Sequence, residues 1–252
     1  MVEFTPLPEL ALGPLTLNAH GIMIAVGLAV AYIVFSKITT DKRLLDIKDE
    51  LLLVLAISGF LGARLLYVIS NADFYAANPL DIVKFWEGGT AFSGALIFGA
   101  IGAYAYLKRK NIEFWKATDF FVIPIVAGII VGRLGDFLSW DHPGTATELP
   151  WAFVVNGISQ HPVILYEIIG LLAILALLYF ISKKGLLARK QFLVFLGSYG
   201  TLRIITDFFR DEITYSGFKL AQIIGIALLL ASIAAFFLLK RATKNLNTKK
   251  RG

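Results

Sequence analysis

Blocks of about twenty apolar residues recur along the chain, and VILYEIIGLLAILALLYFIS at 163–182 is representative. Twenty residues of α-helix rise about 30 Å, which is the thickness of a bilayer's hydrocarbon core. A helix satisfies its own backbone in lipid, whereas an open strand or loop does not. Seven such blocks can be read, at about 17–35, 51–69, 91–107, 118–138, 163–181, 192–209 and 220–239. The expected fold is therefore all-α: an integral membrane protein of seven transmembrane helices, a single membrane domain over 1–252. The connections are short, and the longest outer loop is expected at 139–162. Composition agrees, with 57% hydrophobic and only 17% charged residues, where a soluble domain carries about 25% charged.

Charge distribution sets the orientation. Most of the 24 lysines and arginines fall in the connections 36–50, 108–117 and 182–191 and in the tail from Lys240. In the seven-span reading these all lie on one side. The positive-inside rule then puts the N-terminus outside and the C-terminus in the cytosol, giving a multi-pass plasma-membrane protein. The net charge of +6 is thus a topology signal, and no nucleic-acid partner is expected. The first residues, MVEFTPLPELALGPLTL, are acidic and lack the basic n-region of a cleaved signal peptide. With no cysteine, the chain has neither disulfides nor a thiol nucleophile of its own. Its three histidines have no ligand-like spacing, so no metal and no cofactor are expected.

Small residues at four-residue spacing (Ser58/Gly62, Ala95/Gly99/Ala103, Gly128/Gly132) predict close helix–helix approach. Trp86, Trp140 and Trp151 fall at outer span ends, where an interfacial belt is expected. In the loop 139–162, WAFVV-NG-ISQ reads as a small hairpin through an Asn-Gly turn.

Arg64, Lys84, Arg133, Arg203, Arg210 and Lys219 remain outside the basic loops. Lys84 and Lys219 sit at outer loops and can be solvated. Arg64, Arg133 and Arg203 lie five or six residues before the outer ends of alternate spans, at a depth of roughly 7–9 Å. Asp136 stands at i+3 from Arg133 and Asp207 at i+4 from Arg203, so each reaches its arginine along one helix face. Glu167 enters the same layer from span five, and Glu87 precedes span three. Charges at this depth are seldom kept without use. One reading is a set of mutually neutralising ion pairs. The other is a cationic pocket for an anionic phospholipid, since guanidinium forks suit phosphate.

Four stretches carry a family resemblance. GRLGDFLSWDHPGTATELPWAF is similar to a Gly-Arg-x-Gly-Asn-Phe signature followed by Gly, Thr and Pro-Trp. WEGGTAFSGALIFG is similar to Trp-x-Gly-Gly-Met-x-Phe-His-Gly-Gly, and HPVILYE to His-Pro-Ser-Gln-Leu-Tyr-Glu. YGTLRIITDFFR is similar to Tyr-Gly-x-x-Arg-Phe-x-x-Glu-Phe-x-Arg. Together they resemble the prolipoprotein diacylglyceryl transferases. The resemblance implies a prokaryotic inner-membrane enzyme without cofactor, its active site facing outside. Such an enzyme moves the diacylglyceryl group of phosphatidylglycerol onto the lipobox cysteine thiol of a secreted prolipoprotein and releases glycerol phosphate. Its partners are thus an anionic lipid, a signal peptide and the membrane.

The resemblance assigns Arg133 and Arg203 to a phosphate clamp, with Arg64 and Arg210 in support. It places Asp207, Glu167, Tyr166, Gly94 and Gly144 around the substrates. Four departures stand out. The histidine of His-Gly-Gly is Ser93, the signature asparagine is Asp136, the glutamate after the functional arginine is Asp207, and a tyrosine expected near the start of span one is His20. A serine is a poor base without a partner, so the proton acceptor is left open among Ser93, His20 and His142. A relative acting on another anionic lipid or acceptor, or a non-catalytic lipid-binding or transport protein, is the alternative reading.

Overall fold

The computed structural model of the chain describes residues 1–7, 10–12, 15–84, 89, 91–215 and 217–249. In chain order the described elements are strands β1 (Val2–Glu3), β2 (Leu10–Leu12) and β3 (Leu15–Leu17), then helices α1 (Ala19–Ile38), α2 (Lys42–Asp46), α3 (Lys48–Ser70) and α4 (Ala72–Ala77). After a 3-10 turn at Pro79–Val83 come α5 (Phe92–Arg109) and α6 (Phe114–Ser139), strands β4 (Phe153–Val155) and β5 (Ile158–Gln160), α7 (Val163–Lys183) and α8 (Gln191–Thr206). A 3-10 turn at Asp207–Phe209, strands β6 (Thr214–Tyr215) and β7 (Phe218–Lys219) and α9 (Leu220–Lys249) complete the chain.

Six helices are long and apolar enough to cross a membrane: α1, α3, α6, α7, α8 with its following turn, and α9 over Leu220–Leu238. The remaining expected span coincides with α5, a helix of 18 residues that ends in Lys108 and Arg109 and is not among the six. The apolar residues face outward in quantity, as a lipid-solvated surface requires, for example Leu53, Leu61, Ile169 and Leu230.

The helices form two compact units, Met1–Ile38 with Thr118–Gly252, and Thr39–Ala117. In the first unit Val122 and Val126 of α6, Leu171, Ile174 and Leu178 of α7 and Phe195 of α8 make a buried core. Glycine contacts then set how closely helices approach. A Cβ on Gly27 of α1 would lie 2.6 Å from the Gly128 carbonyl oxygen of α6, and one on Gly200 of α8 would lie 2.5 Å from that of Gly225 of α9. In the second unit Gly62 of α3 and Gly94 of α5 face each other so tightly that a Cβ on either would collide with the other's carbonyl. The Gly132 backbone nitrogen also comes within 3.5 Å of a Cβ placed on Gly27, yet a Cβ on Gly132 itself would meet nothing within 4 Å.

The outer-loop hairpin is present. β4 and β5 pair antiparallel with Val155 opposite Ile158. Asn156 (φ 52°) and Gly157 (φ 79°) adopt the left-handed conformation that such a two-residue turn demands. The strand β1 adds in parallel to β4, a pairing no local pattern announces. Trp140 also departs from its expected role as an interface anchor. It is buried, with φ 56°, and terminates α6. Its N–H bonds the Phe137 carbonyl, and the Asp141 N–H bonds that of Asp136, the pattern of a Schellman cap. A left-handed conformation costs a non-glycine residue about 1–2 kcal/mol. Packing holds it: the Trp140 ring stacks on Phe153 at 5.7 Å and lies 5.2 Å from Phe4 and 5.8 Å from Phe137. Trp151, by contrast, is exposed. Trp86 and Glu87 lie outside the described residues.

Two substitutions test this packing. Gly200→Leu drives carbons into a backbone carbonyl that cannot retreat, and should cost about 1–3 kcal/mol as overpacking does. Gly132→Ala occupies open space and should stabilise the helix by about 0.5–1 kcal/mol. Thermal unfolding of both variants in detergent, with opposite shifts expected, checks the pair.

Candidate active site

Three arginines converge on one glutamate. Glu167, in the second turn of α7, is 1% exposed. Its Oε1 accepts hydrogen bonds from Arg203 Nη1 at 2.6 Å and from Arg210 Nη2. Its Oε2 lies 2.9 Å from Arg133 Nε, an ion pair whose N–H does not point at the oxygen. Arg133 projects from the C-terminal third of α6 and Arg203 from the last turn of α8. Arg210 follows the 3-10 turn.

Two more buried carboxylates balance the charge. Asp207 Oδ2 accepts from Arg203 Nη2 at 3.2 Å, while its Oδ1 makes charge contacts with the same nitrogen at 3.0 Å and with Arg210 Nε at 3.3 Å. Asp136 Oδ2 accepts from Arg133 Nη1 at 2.6 Å, and its Oδ1 is hydrogen-bonded to His20 Nδ1. Glu212 Oε1 accepts from Arg210 Nη1 at 3.3 Å at the rim. Three guanidinium groups thus meet three buried carboxylates, as a low-dielectric site demands. The i+3 and i+4 spacings behave as the sequence predicts, and Glu167 joins the two helices.

Exposure divides the arginines. Arg210 is 1% exposed, whereas Arg133 and Arg203 each keep part of their side chains at the surface. Around them the backbone is closely fitted. Gly144 bridges to Arg210, and any side chain at Gly144 would strike the His161 carbonyl. Lys219 is not simply solvated: its Nζ donates to the carbonyl oxygens of Asp207 at 2.6 Å, of Phe208 at 3.4 Å and of Arg210. It satisfies carbonyls left over where α8 ends. That role had no signal in the sequence beyond a basic residue shortly after the helix.

At the loop side, the Tyr166 hydroxyl accepts from Trp151 Nε1 at 2.9 Å and lies 3.2 Å from His161 Nδ1. Phe209 packs on both rings, 5.0 Å from His161 and 5.9 Å from Tyr166. Burial lowers the pKa of His161. Burial, and next the positive charge of Arg210, lowers that of His142. Both imidazoles are therefore neutral at pH 7.

Arg64 belongs to the other compact unit. Its guanidinium binds backbone carbonyls: Nε to Ile82 at 2.9 Å, Nη1 to Gly89 at 2.9 Å, and Nη2 to Asp81 at 2.6 Å and Lys84 at 3.3 Å. It also lies over the Tyr75 ring at 5.4 Å. Arg64 thus ties down Asp81, Ile82, Lys84 and Gly89. Gly94 is buried against Gly62 in the same unit. Ser93 stands in the first turn of α5, with its side chain outside those described.

His20, Asp136 and Asp141 each offer one ligand atom within 4.8 Å of the others. The oxygen of Asp136 not facing His20 is already bonded to Arg133, so a metal ion here would sit against a guanidinium. The cluster suits proton transfer better than cation binding.

The family model described as prolipoprotein diacylglyceryl transferase matches residues 9–238. Among curated relatives, a phosphatidylglycerol–prolipoprotein diacylglyceryl transferase of Finegoldia magna is 33% identical over 222 residues, covering 85% of this chain and 88% of the relative. One from Bordetella parapertussis is 31% identical over 260 residues, covering 96% and 98%. One from Clostridioides difficile is 30% identical over 231 residues, covering 90% and 92%. With the match running through α6, α7 and α8, which hold most of the arginine–carboxylate network, and through α1, which holds His20, the chain belongs to the prolipoprotein diacylglyceryl transferase family.

Proposed function

We propose that this protein transfers the diacylglyceryl group of phosphatidylglycerol to the lipobox cysteine of prolipoproteins. The relatives are named as phosphatidylglycerol–prolipoprotein diacylglyceryl transferases, and their matches cover 85% and 96% of this chain. The observation that carries the reading is the pair Arg133 and Arg203, brought from two helices to one buried glutamate and still partly exposed. The reading treats 1–252 as one membrane domain of seven spans in the inner membrane, with the N-terminus outside, the C-terminus cytosolic and the arginines facing outward.

The chemistry asks for such a pair. The acceptor sulfur attacks a glycerol carbon, a C–S bond forms, and the C–O bond to phosphate breaks with its electrons leaving on oxygen. Charge on the departing glycerol phosphate rises through the transition state, and fixed donors stabilise that charge more than they stabilise the bound lipid. Glu167 makes Arg133 and Arg203 fixed donors: it splints both guanidinium groups before the lipid arrives. Arg210, buried beneath them, acts as a brace, as Asp207 does beside Arg203. Arg64 acts at one remove by shaping its loop, and Tyr166 and Gly144 line the loop side. The nucleophile comes from the substrate, consistent with a chain that has no cysteine.

Purified protein, phosphatidylglycerol vesicles and a lipobox peptide should yield the thioether peptide and glycerol phosphate. Arg133→Ala and Arg203→Ala should each lower turnover about 10²–10³-fold, the usual loss for a donor to a developing oxyanion. Lysine should rescue neither, because it lacks the planar fork. Full turnover by both alanine variants sinks the clamp. No product from any anionic lipid, despite tight lipid binding, sinks the transferase reading. Glu167→Ala leaves three arginines short of a carboxylate and should destabilise the fold by about 3–5 kcal/mol, as removing one partner of a buried pair does. A lowered midpoint of thermal unfolding in detergent, alongside lost turnover, is the expected result.

A further inference from the structure

We propose that His20, oriented by Asp136, is the base that accepts the proton of the acceptor thiol. This rests on the transferase reading above and deepens it. His20 is the second residue of α1, and its Nδ1 meets Oδ1 of Asp136 from a position 116 residues away in the chain. Asp136 is 3% exposed, and its other oxygen is held by Arg133 Nη1 at 2.6 Å. The carboxylate therefore has a fixed direction. A carboxylate acceptor at Nδ1 makes that nitrogen the N–H and leaves the lone pair on Nε2. The His20 side chain is 41% exposed, so a substrate can reach the ring.

Local sterics make the contact possible. A Cβ on Gly135 would lie 2.7 Å from Met23 Cβ and 3.0 Å from the His20 Cα, so only glycine lets the start of α1 come so near α6. Among the described residues, the charged groups paired with His20 are Asp136 on α6 and, 3.7 Å away, Asp141 just beyond that helix, while Arg133 pairs with the far oxygen of Asp136. One carboxylate thus joins the imidazole to an arginine of the clamp, placing the proton acceptor beside the group that receives the phosphate. In the step itself the thiol proton moves to His20 Nε2 and the sulfur pair forms the C–S bond. The C–O electrons leave with the phosphate, and the imidazolium then returns its proton to that phosphate or to water. His20 is the catalytic residue here, and Asp136 is a positioning residue that fixes its tautomer.

Turnover of a lipobox peptide should be compared with that of its selenocysteine counterpart, whose selenol ionises more readily than a thiol. His20→Ala should lose about 10²–10³-fold with the thiol, within the range for a lost general base. The loss should shrink at least tenfold with the selenol. The residual thiol rate should climb with pH toward the thiol's own ionisation near about 8.5. His20→Asn keeps a donor for Asp136 without the Nε2 lone pair, and should behave like alanine while remaining folded by gel filtration. Asp136→Asn should show the same selenol-sparing loss in milder form. Arg203→Ala should lose equally with both acceptors. Equal losses for His20→Ala on thiol and selenol, wild-type turnover by His20→Asn, or selenol-sparing loss in His142→Ala instead overturn the assignment. Absence of product from the wild type with either acceptor overturns the transferase reading itself.

Discussion

Glu167 is the interaction on which the site depends. Arg133, Arg203 and Arg210 would repel one another in a low-dielectric setting, and one carboxylate in the middle turns that repulsion into cohesion. Its burial is what makes the arrangement stiff. At the buried glutamate water does not screen the contacts, so the guanidinium edges that face it are held in place.

A buried ion-pair network is a poor device for stability compared with packed apolar side chains. Its value lies in holding charge where charge will be needed. Two of the three arginines keep an exposed edge while contacts to carboxylates hold them, so in the proposed reaction they would be preorganised for an anion that gains charge as it leaves. Asp136 extends the same network to His20, and the place where a phosphate would be held borders the place where a proton would be taken. In the proposed reaction an extra negative charge next to a phosphate clamp would be unfavourable alone; shared between a guanidinium and an imidazole, it would act as an orienting group.

The helices were legible because twenty apolar residues in a row leave the backbone little choice in lipid. The Asn156-Gly157 hairpin was legible because its turn requires left-handed backbone at both central positions. The pairs Arg133–Asp136 and Arg203–Asp207 were legible from helix periodicity, which places such residues on one face. Other features had no local signature. Trp140 at a helix end reads like an interface anchor, and only its neighbours Phe4, Phe137 and Phe153 make it a buried cap. Gly132 and Gly128 look equivalent in sequence, yet a Cβ would meet a facing backbone only at Gly128. Arg64 shares a depth with the other arginines by residue counting, but its donors go to carbonyls of its own loop.

The sequence by itself determined the helical membrane class, the family and which charged residues share a helix face, because hydrophobic length and helical spacing are one-dimensional properties. Tertiary structure decided how those charges combine. That Glu167 serves three arginines, that Lys219 closes the end of α8, and that His20 meets Asp136 across 116 residues depend on which helix faces touch. Those faces are set by glycines at close approaches, and whether a glycine has a neighbour is a fact about space that no spacing along the chain contains.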